Sequence, residues 1–150
     1  MRTRTSTWKE VTVSFNKVMD NGLQKVVSEK NVVDAITFGE GETSIYEQLK
    51  GFYGDIKIKT ITPASYKEVW FSDESNDEKW YKAKLQFITI DEKTEREKRQ
   101  NVLYLVQAAN IRKAIGYIDN VMSNTMIDYA IVSVAETNIV DVYEHENNDK

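Results

Sequence analysis

Cysteine is absent from this chain, proline occurs once, as Pro63, and histidine once, as His145. The lack of thiols excludes disulfides, a thiolate nucleophile and thiolate metal sites, and fits a reducing compartment. One histidine, placed near the end of the chain, disfavours a serine triad, a Cys–His pair and a zinc site of ordinary ligands. One proline argues against long disordered linkers. No run approaches the ~20 apolar residues of a membrane span. Met1-Arg2-Thr3-Arg4-Thr5 is not followed by the apolar stretch of a signal peptide. The glycines Gly39, Gly41, Gly51 and Gly54 are separated by helix and turn residues, so they form no phosphate-cradling loop. These absences describe a soluble intracellular protein with no membrane partner, no cofactor and no enzyme signature.

What is present is an ordinary globular mixture, 41% hydrophobic and 29% charged over 150 residues. A chain of that length buries roughly 70% of its unfolded surface and needs no covalent staple. The net charge is −4. Four acids against one lysine give residues 141–150 a charge of −3, which leaves −1 for the other 140. The overall charge therefore neither requires nor excludes a polyanion, and local patches decide.

The chain contains two similar halves. Trp8 to Phe15 reads WKEVTVSF and Trp80 to Phe87 reads WYKAKLQF, 72 positions apart. Both alternate polar and apolar residues with the period of a half-buried strand. A turn and a second strand follow each. Asp20-Asn21-Gly22 is a hairpin signal in the first half; the charged stretch Asp91 to Asn101 serves in the second and is expected to be a solvated, mobile tip. A helix is expected next, with Val27–Ala35 matching Val106–Ala114 at an offset of 79. The second helix carries the stripe Ile111, Ala114, Ile115, Ile118, Val121 and Met122. The first is expected in two pieces, broken at Gly39-Glu40-Gly41, capped by Thr43 or Ser44, and resuming with Ile45, Tyr46, Leu49 and Phe52. Each half ends in a long strand, Ile56–Ile61 against Tyr129–Val134, with Val69 falling on Val142 at an offset of 73. The expected fold is α+β: a tandem duplication of a β-β-α-β unit over residues 6–73 and 78–144, antiparallel sheets with helices on one face, and an acidic tail at 145–150.

The candidate binding face follows from the alternation. With Val11, Val13 and Phe15 inward, Trp8 points the other way. With Tyr81, Ala83, Leu85 and Phe87 inward, Trp80, Lys82 and Lys84 point outward. Lys57 and Lys59 alternate with Ile56 and Ile58. Lysines attract phosphates and exposed rings stack on bases, so Trp8, Lys57, Lys59, Trp80, Lys82 and Lys84 form a candidate nucleic-acid face, single-stranded DNA above all. The plainer alternative has the lysines solubilising an exposed sheet and each Trp covering a sheet edge. Strands Val102–Val106 and Ala130–Ala135 are apolar on both faces, which calls for cover on both sides and suggests a homodimer. Glu40 with Glu42, and Glu136 with Asp141, are paired acids able to hold Mg²⁺ or exchange protons, with a structural turn as the competing account. The tail Val142-Tyr143-Glu144-His145-Glu146 is either a solvated end or a segment that fills a basic groove or recruits a partner.

The segments Trp80–Lys93, Tyr104–Ala108 and Val134–Val142 resemble an uncharacterised family of Bacteroidales bacteria and their phages, the domain-of-unknown-function family DUF4494. The resemblance is clearest over residues 80–142. It implies a phage or mobile-element setting in a bacterial host cytoplasm and no catalytic residue. Beside nucleic-acid binding stand two other functions: an oligomeric protein that sequesters a nucleotide signal, and an inhibitor of a host defence protein. Host or phage proteins are thus further possible partners.

Overall fold

The computed structural model describes residues 1–49 and 55–144. The expected helix residue Phe52 and the tail from His145 onward lie outside the described residues. The elements, in chain order, are β1 (Arg2–Arg4), β2 (Trp8–Val18), β3 (Gln24–Asp34), α1 (Phe38–Leu49), β4 (Ile56–Ala64), β5 (Glu68–Phe71), β6 (Lys79–Ile90), β7 (Glu97–Ala108), α2 (Ile111–Ser123), β8 (Asp128–Glu136) and β9 (Ile139–Tyr143). The class is α+β, mostly sheet, with two sheets and two helices among the described residues.

Two compact units divide the chain, and neither is continuous in sequence. One holds Met1–Thr5 with Tyr66–Thr137, the other Ser6–Ser65 with Asn138–Lys150. The first unit contains a five-stranded sheet in the order β1-β5-β7-β6-β8, the second a four-stranded sheet in the order β4-β2-β3-β9. The expected antiparallel pairing holds for β2 with β3 and β4, and for β6 with β7 and β8. It fails for β5 and β9, which run parallel to β7 and β3. Each long final strand of the sequence reading is in fact two strands in different sheets. After β4 the chain leaves its sheet and supplies β5 to the other; after β8 it does the same with β9.

The helix expected over Val27–Ala35 is not a helix. Those residues lie mainly in β3, paired along its length with β2. Its valines are β-branched and suit a pleated strand. The matching segment Val106–Ala108 ends β7, and α2 starts three residues later. The first helix is also unbroken. It begins at Phe38 and runs through Gly39-Glu40-Gly41. Its start is fixed by Thr37, whose Oγ1 accepts the Glu40 amide at 3.1 Å, while Glu40 Oε2 accepts the Ile36 amide at 3.1 Å. Thr37 is thus the N-cap, with Glu40 reaching back one residue further than in a capping box, and Thr43 and Ser44 cap nothing. Asn110 caps α2 by accepting the Lys113 amide at 2.9 Å.

Once the elements are placed, the drifting offsets collapse to two values. Trp8 and Trp80 stand 72 apart. Everything after the hairpins stands 73 apart: Phe38 and Ile111 open the helices, and the buried trios Gly41, Ile45, Leu49 and Ala114, Ile118, Met122 correspond in order. A bulge lies between Thr12 and Val13 in the β2–β4 pairing and another between Lys84 and Leu85 in the β6–β8 pairing, again 72 apart. The second hairpin holds the additional residue. In the first tip Gly22 takes φ 81°; in the second Glu95 takes φ 56°, a left-handed conformation that glycine adopts without cost.

Each helix covers one face of its own sheet. In the first unit Tyr81, Ala83, Leu85, Val102, Tyr104, Val106 and Trp70 pack with Ala114, Ile118 and Met122. In the second Val11, Val13, Val33 and Ala35 pack with Ile45 and Leu49. The faces assigned to β6 and β2 from their alternation are therefore the faces that the helices cover.

Candidate nucleic-acid interface

The face of the five-stranded sheet away from α2 is set by β6. Lys82 and Lys84 lie on it two residues apart, opposite Leu105 and Leu103 of β7 and Ala135 and Ser133 of β8. Lys82 is exposed and Lys84 half-buried. Neither forms an ion pair with any described residue. Further along the same face Gln86 donates through Nε2 to Asn101 Oδ1 at 3.1 Å, and Arg99 donates through Nη1 to Gln86 Oε1 at 3.3 Å. Arg99 is also held by Glu97 at 3.1 Å. The result is a short polar track of two lysines, two amides and a guanidinium, with Glu97 and Asp128 at its far end.

Arg99 and Asn101 were not among the sequence candidates, because Asp91 to Asn101 reads as a mobile tip; Gln86 alternates onto the same outward face as Lys82 and Lys84 but was not among the candidates either. Only Asp91–Arg96 forms the turn, closed by Asp91 and Arg96 through a 2.9 Å backbone hydrogen bond. From Glu97 onward the segment is strand, and the alternation Arg99, Asn101, Leu103 carried the signal.

The two tryptophans are placed differently from the expectation. Trp8 and Trp80 are each 1% exposed, so neither ring is open to stack on a base. Trp80 packs edge-on against Phe71, centroids 5.6 Å apart and planes at 85°. The Arg2 guanidinium sits 4.4 Å over that Phe71 ring. The Trp80 carbonyl accepts both the amide and the hydroxyl of Thr137, at 2.9 and 2.8 Å. Trp8 is buried with its indole N–H unpartnered. Lys57 lies in the other unit, opposite Ser14 on the face away from α1, and Lys59 is the extra residue of the β4 bulge. Both are exposed. The structure thus groups Trp80, Lys82 and Lys84 on one face of β6, and puts Trp8, Lys57 and Lys59 in the second unit.

The densest polar cluster lies elsewhere. Asp77 is 2% exposed and accepts from the Ser72 and Tyr117 hydroxyls, from the Ala109 amide at 2.7 Å and from Lys113 Nζ at 3.5 Å. Lys113 also reaches Glu74 at 2.7 Å. Burial alone raises the Asp77 pKa, but the two hydroxyls, the amide and Lys113 outweigh it and hold the carboxyl below its ordinary value. The hydrogen bond from Tyr117 raises that phenol's pKa. With every acceptor position engaged, Asp77 is a strut that ties the β5–β6 loop to the start of α2, and it offers no open site for chemistry. Tyr104 is pushed up to about 12 by burial, with the nearby charge of Glu68 adding to it. Glu68 in turn accepts from Trp70 Nε1 at 2.9 Å.

The paired acids have local tasks. Glu40 caps α1, as described, and Glu136 pairs with Lys79 at 3.3 Å. Burial raises the Asp141 pKa, partly offset by the amide of Val142. Among the described residues no group of three or more His, Asp or Glu side chains is placed to hold a metal ion. Among them, too, no helix is long and apolar enough to cross a membrane.

Comparison with curated proteins and with solved structures finds no match. The model of one family, described as "Domain of unknown function (DUF4494)", matches residues 7–145. That match spans most of the chain, and the protein belongs to the DUF4494 family.

Proposed function

We propose that this protein is a non-enzymatic nucleic-acid binder that holds the phosphate backbone of a single strand on the Lys82–Lys84 face. The observation that carries the reading is the pair of lysines on one strand face, without an ion-pair partner among the described residues and continued by Arg99, Gln86 and Asn101. Unneutralised cations two residues apart on a strand suit successive phosphates. The lysines are presented by a strand and not by a helix that could enter a duplex groove, which favours a flexible single strand. Burial of Trp8 and Trp80 removes base stacking from the reading and makes the binding electrostatic and indifferent to sequence.

Anisotropy of labelled single-stranded DNA and RNA, titrated with the full chain at low salt, tests the proposal. The expected result is binding that weakens as salt rises. Lys82→Ala and Lys84→Ala weaken it for all sequences alike, each lowering the log–log salt slope by about 0.7. No change in anisotropy at low salt overturns the reading. Tight binding of a mononucleotide or cyclic nucleotide without polymer binding would favour a nucleotide-sequestering protein instead. Binding of neither, with capture of one defined host protein, would favour an inhibitor. The resemblance over residues 80–142 supports a phage or mobile-element setting inside a bacterial host.

We further infer that the halves 6–73 and 78–144 descend from one duplicated unit. The shared offset of helix starts, buried trios and bulges supports this. So does the shared habit of sending the last strand into the other sheet.

A further inference from the structure

The two sheets end in corresponding edge strands, β4 and β8, and the two edges are defended differently. An open edge presents unpaired amides and carbonyls that invite another strand, and proteins discourage this with lysine and proline. The β4 edge carries Lys57, Lys59 and Pro63. Between Asp128 and Glu136 the β8 edge reads YAIVSVA, with no charge and no proline. Both edges contain the same bulge, so the bulge does not distinguish them. The sequence pattern demands cover for Ala130–Ala135, yet Val132 is 48% exposed and no residue of this strand is buried.

The flank beside this edge is apolar as well. Tyr129 donates to Asp119 at 2.7 Å, which fixes the side of α2 that looks toward β8. Ile115 and Ile111 lie one and two turns earlier on that side and are both exposed. Met126, in the turn leading into β8, is fully exposed.

The geometry points to a second copy of this chain as the occupant, with β8 paired antiparallel to β8 about a two-fold axis between Val132, the extra residue of the β8 bulge, and Ser133, and with Ile111 and Ile115 closing the seam above it. Such a seam is isologous, so one strand supplies both sides. It sets Ile131 opposite Val134 on one face and Ala130 opposite Ala135 on the other, all uncharged. Tyr129 falls opposite Glu136, whose charge is paired within its own copy by Lys79 at 3.3 Å. The β4 edge offers no such match, because self-pairing there would bring lysines together and remove a hydrogen bond at Pro63.

This inference does not rest on the nucleic-acid reading. Sedimentation velocity of the full chain over a wide concentration range tests it. The expected result is a dimer that Val132→Lys abolishes, since that change gives β8 the guard that β4 has. Ile115→Glu, on an exposed helix surface that tolerates charge, weakens the dimer without touching the strand, and circular dichroism checks that both variants fold. A wild-type chain that stays monomeric at the highest concentration reached overturns the inference, as does a dimer undiminished in both variants.

Discussion

Asn31 is completely buried, and neither its amide nitrogen nor its oxygen has a hydrogen-bond partner. It sits on β3 opposite Val11, on the face covered by α1, two residues before Val33. The β9 register slips at this point, between Lys30 and Val32. Leaving a side-chain amide unpaired in an apolar setting costs about 1–3 kcal/mol on mutational scales. Leucine has a similar volume and no polar atoms. Asn31→Leu should therefore stabilise the protein by about 1–3 kcal/mol. With a urea m-value of about 2 kcal/mol/M, a gain of about 2 kcal/mol moves the midpoint up by about 1 M. The assay is urea unfolding followed by tryptophan emission, to which Trp8, Trp70 and Trp80 all contribute from sites 1% exposed. A fall in the midpoint refutes the reasoning, because it would mean that the amide is hydrogen-bonded in solution, to an ordered water or a small ligand. Asn31→Asp gives the sign of the electrostatics. An unpaired buried carboxylate has a raised folded-state pKa, so its penalty is full above that value, shrinks as pH falls below it and is gone below the ordinary carboxylate pKa.

Two further predictions follow from backbone and charge. A Cβ added at Gly41 meets Val33, Ala35 and Ile61 at 3.6 to 4.0 Å, ordinary contact distances; Gly41→Ala should gain about 1 kcal/mol of helix propensity and raise Tm by about 2–4 °C in a calorimetric scan, whereas a lower Tm would show that α1 needs the closer approach. Asp77→Ala, which strips Ser72, Tyr117 and the Ala109 amide of their common acceptor, should cost about 1–3 kcal/mol. Because the Asp77 pKa is depressed, its contribution is complete above the ordinary carboxylate pKa and is lost as pH falls through the lower folded value. Acid titrations of the wild type and of Asp77→Asn should therefore converge at low pH, and parallel curves would refute the assignment.

The strands were legible because their side chains alternate. Val13 and Leu85 declare their inner face, and Ile118 and Met122 declare that of α2. What failed was arbitration between a short strand and a helix. Val26, Val27, Val32 and Val33 supply apolar residues at spacings compatible with either, and pairing with β2 decided the matter. The helix break at Gly39-Glu40-Gly41 was read from glycine alone, although Thr37 and Glu40 carried the start signal three residues apart. The lysine positions followed from the period of two. The burial of Trp8 and Trp80 did not, because alternation gives the side of a strand on which a residue lies and says nothing of what covers it. Parallel strands β5 and β9 were hidden for a related reason: each directly continues the strand before it in sequence, and only long-range pairing moves it to another sheet.

That exchange has a consequence for synthesis. By the time residue 137 has been made, both helices and eight of the nine described strands exist. The four-stranded sheet is nevertheless unfinished, since β3 receives its outer neighbour only from Ile139–Tyr143. A nascent chain therefore carries an open β3 edge until Ile139–Tyr143 have emerged. For that interval the unpaired amides and carbonyls of β3 are open to any other strand that the chain meets.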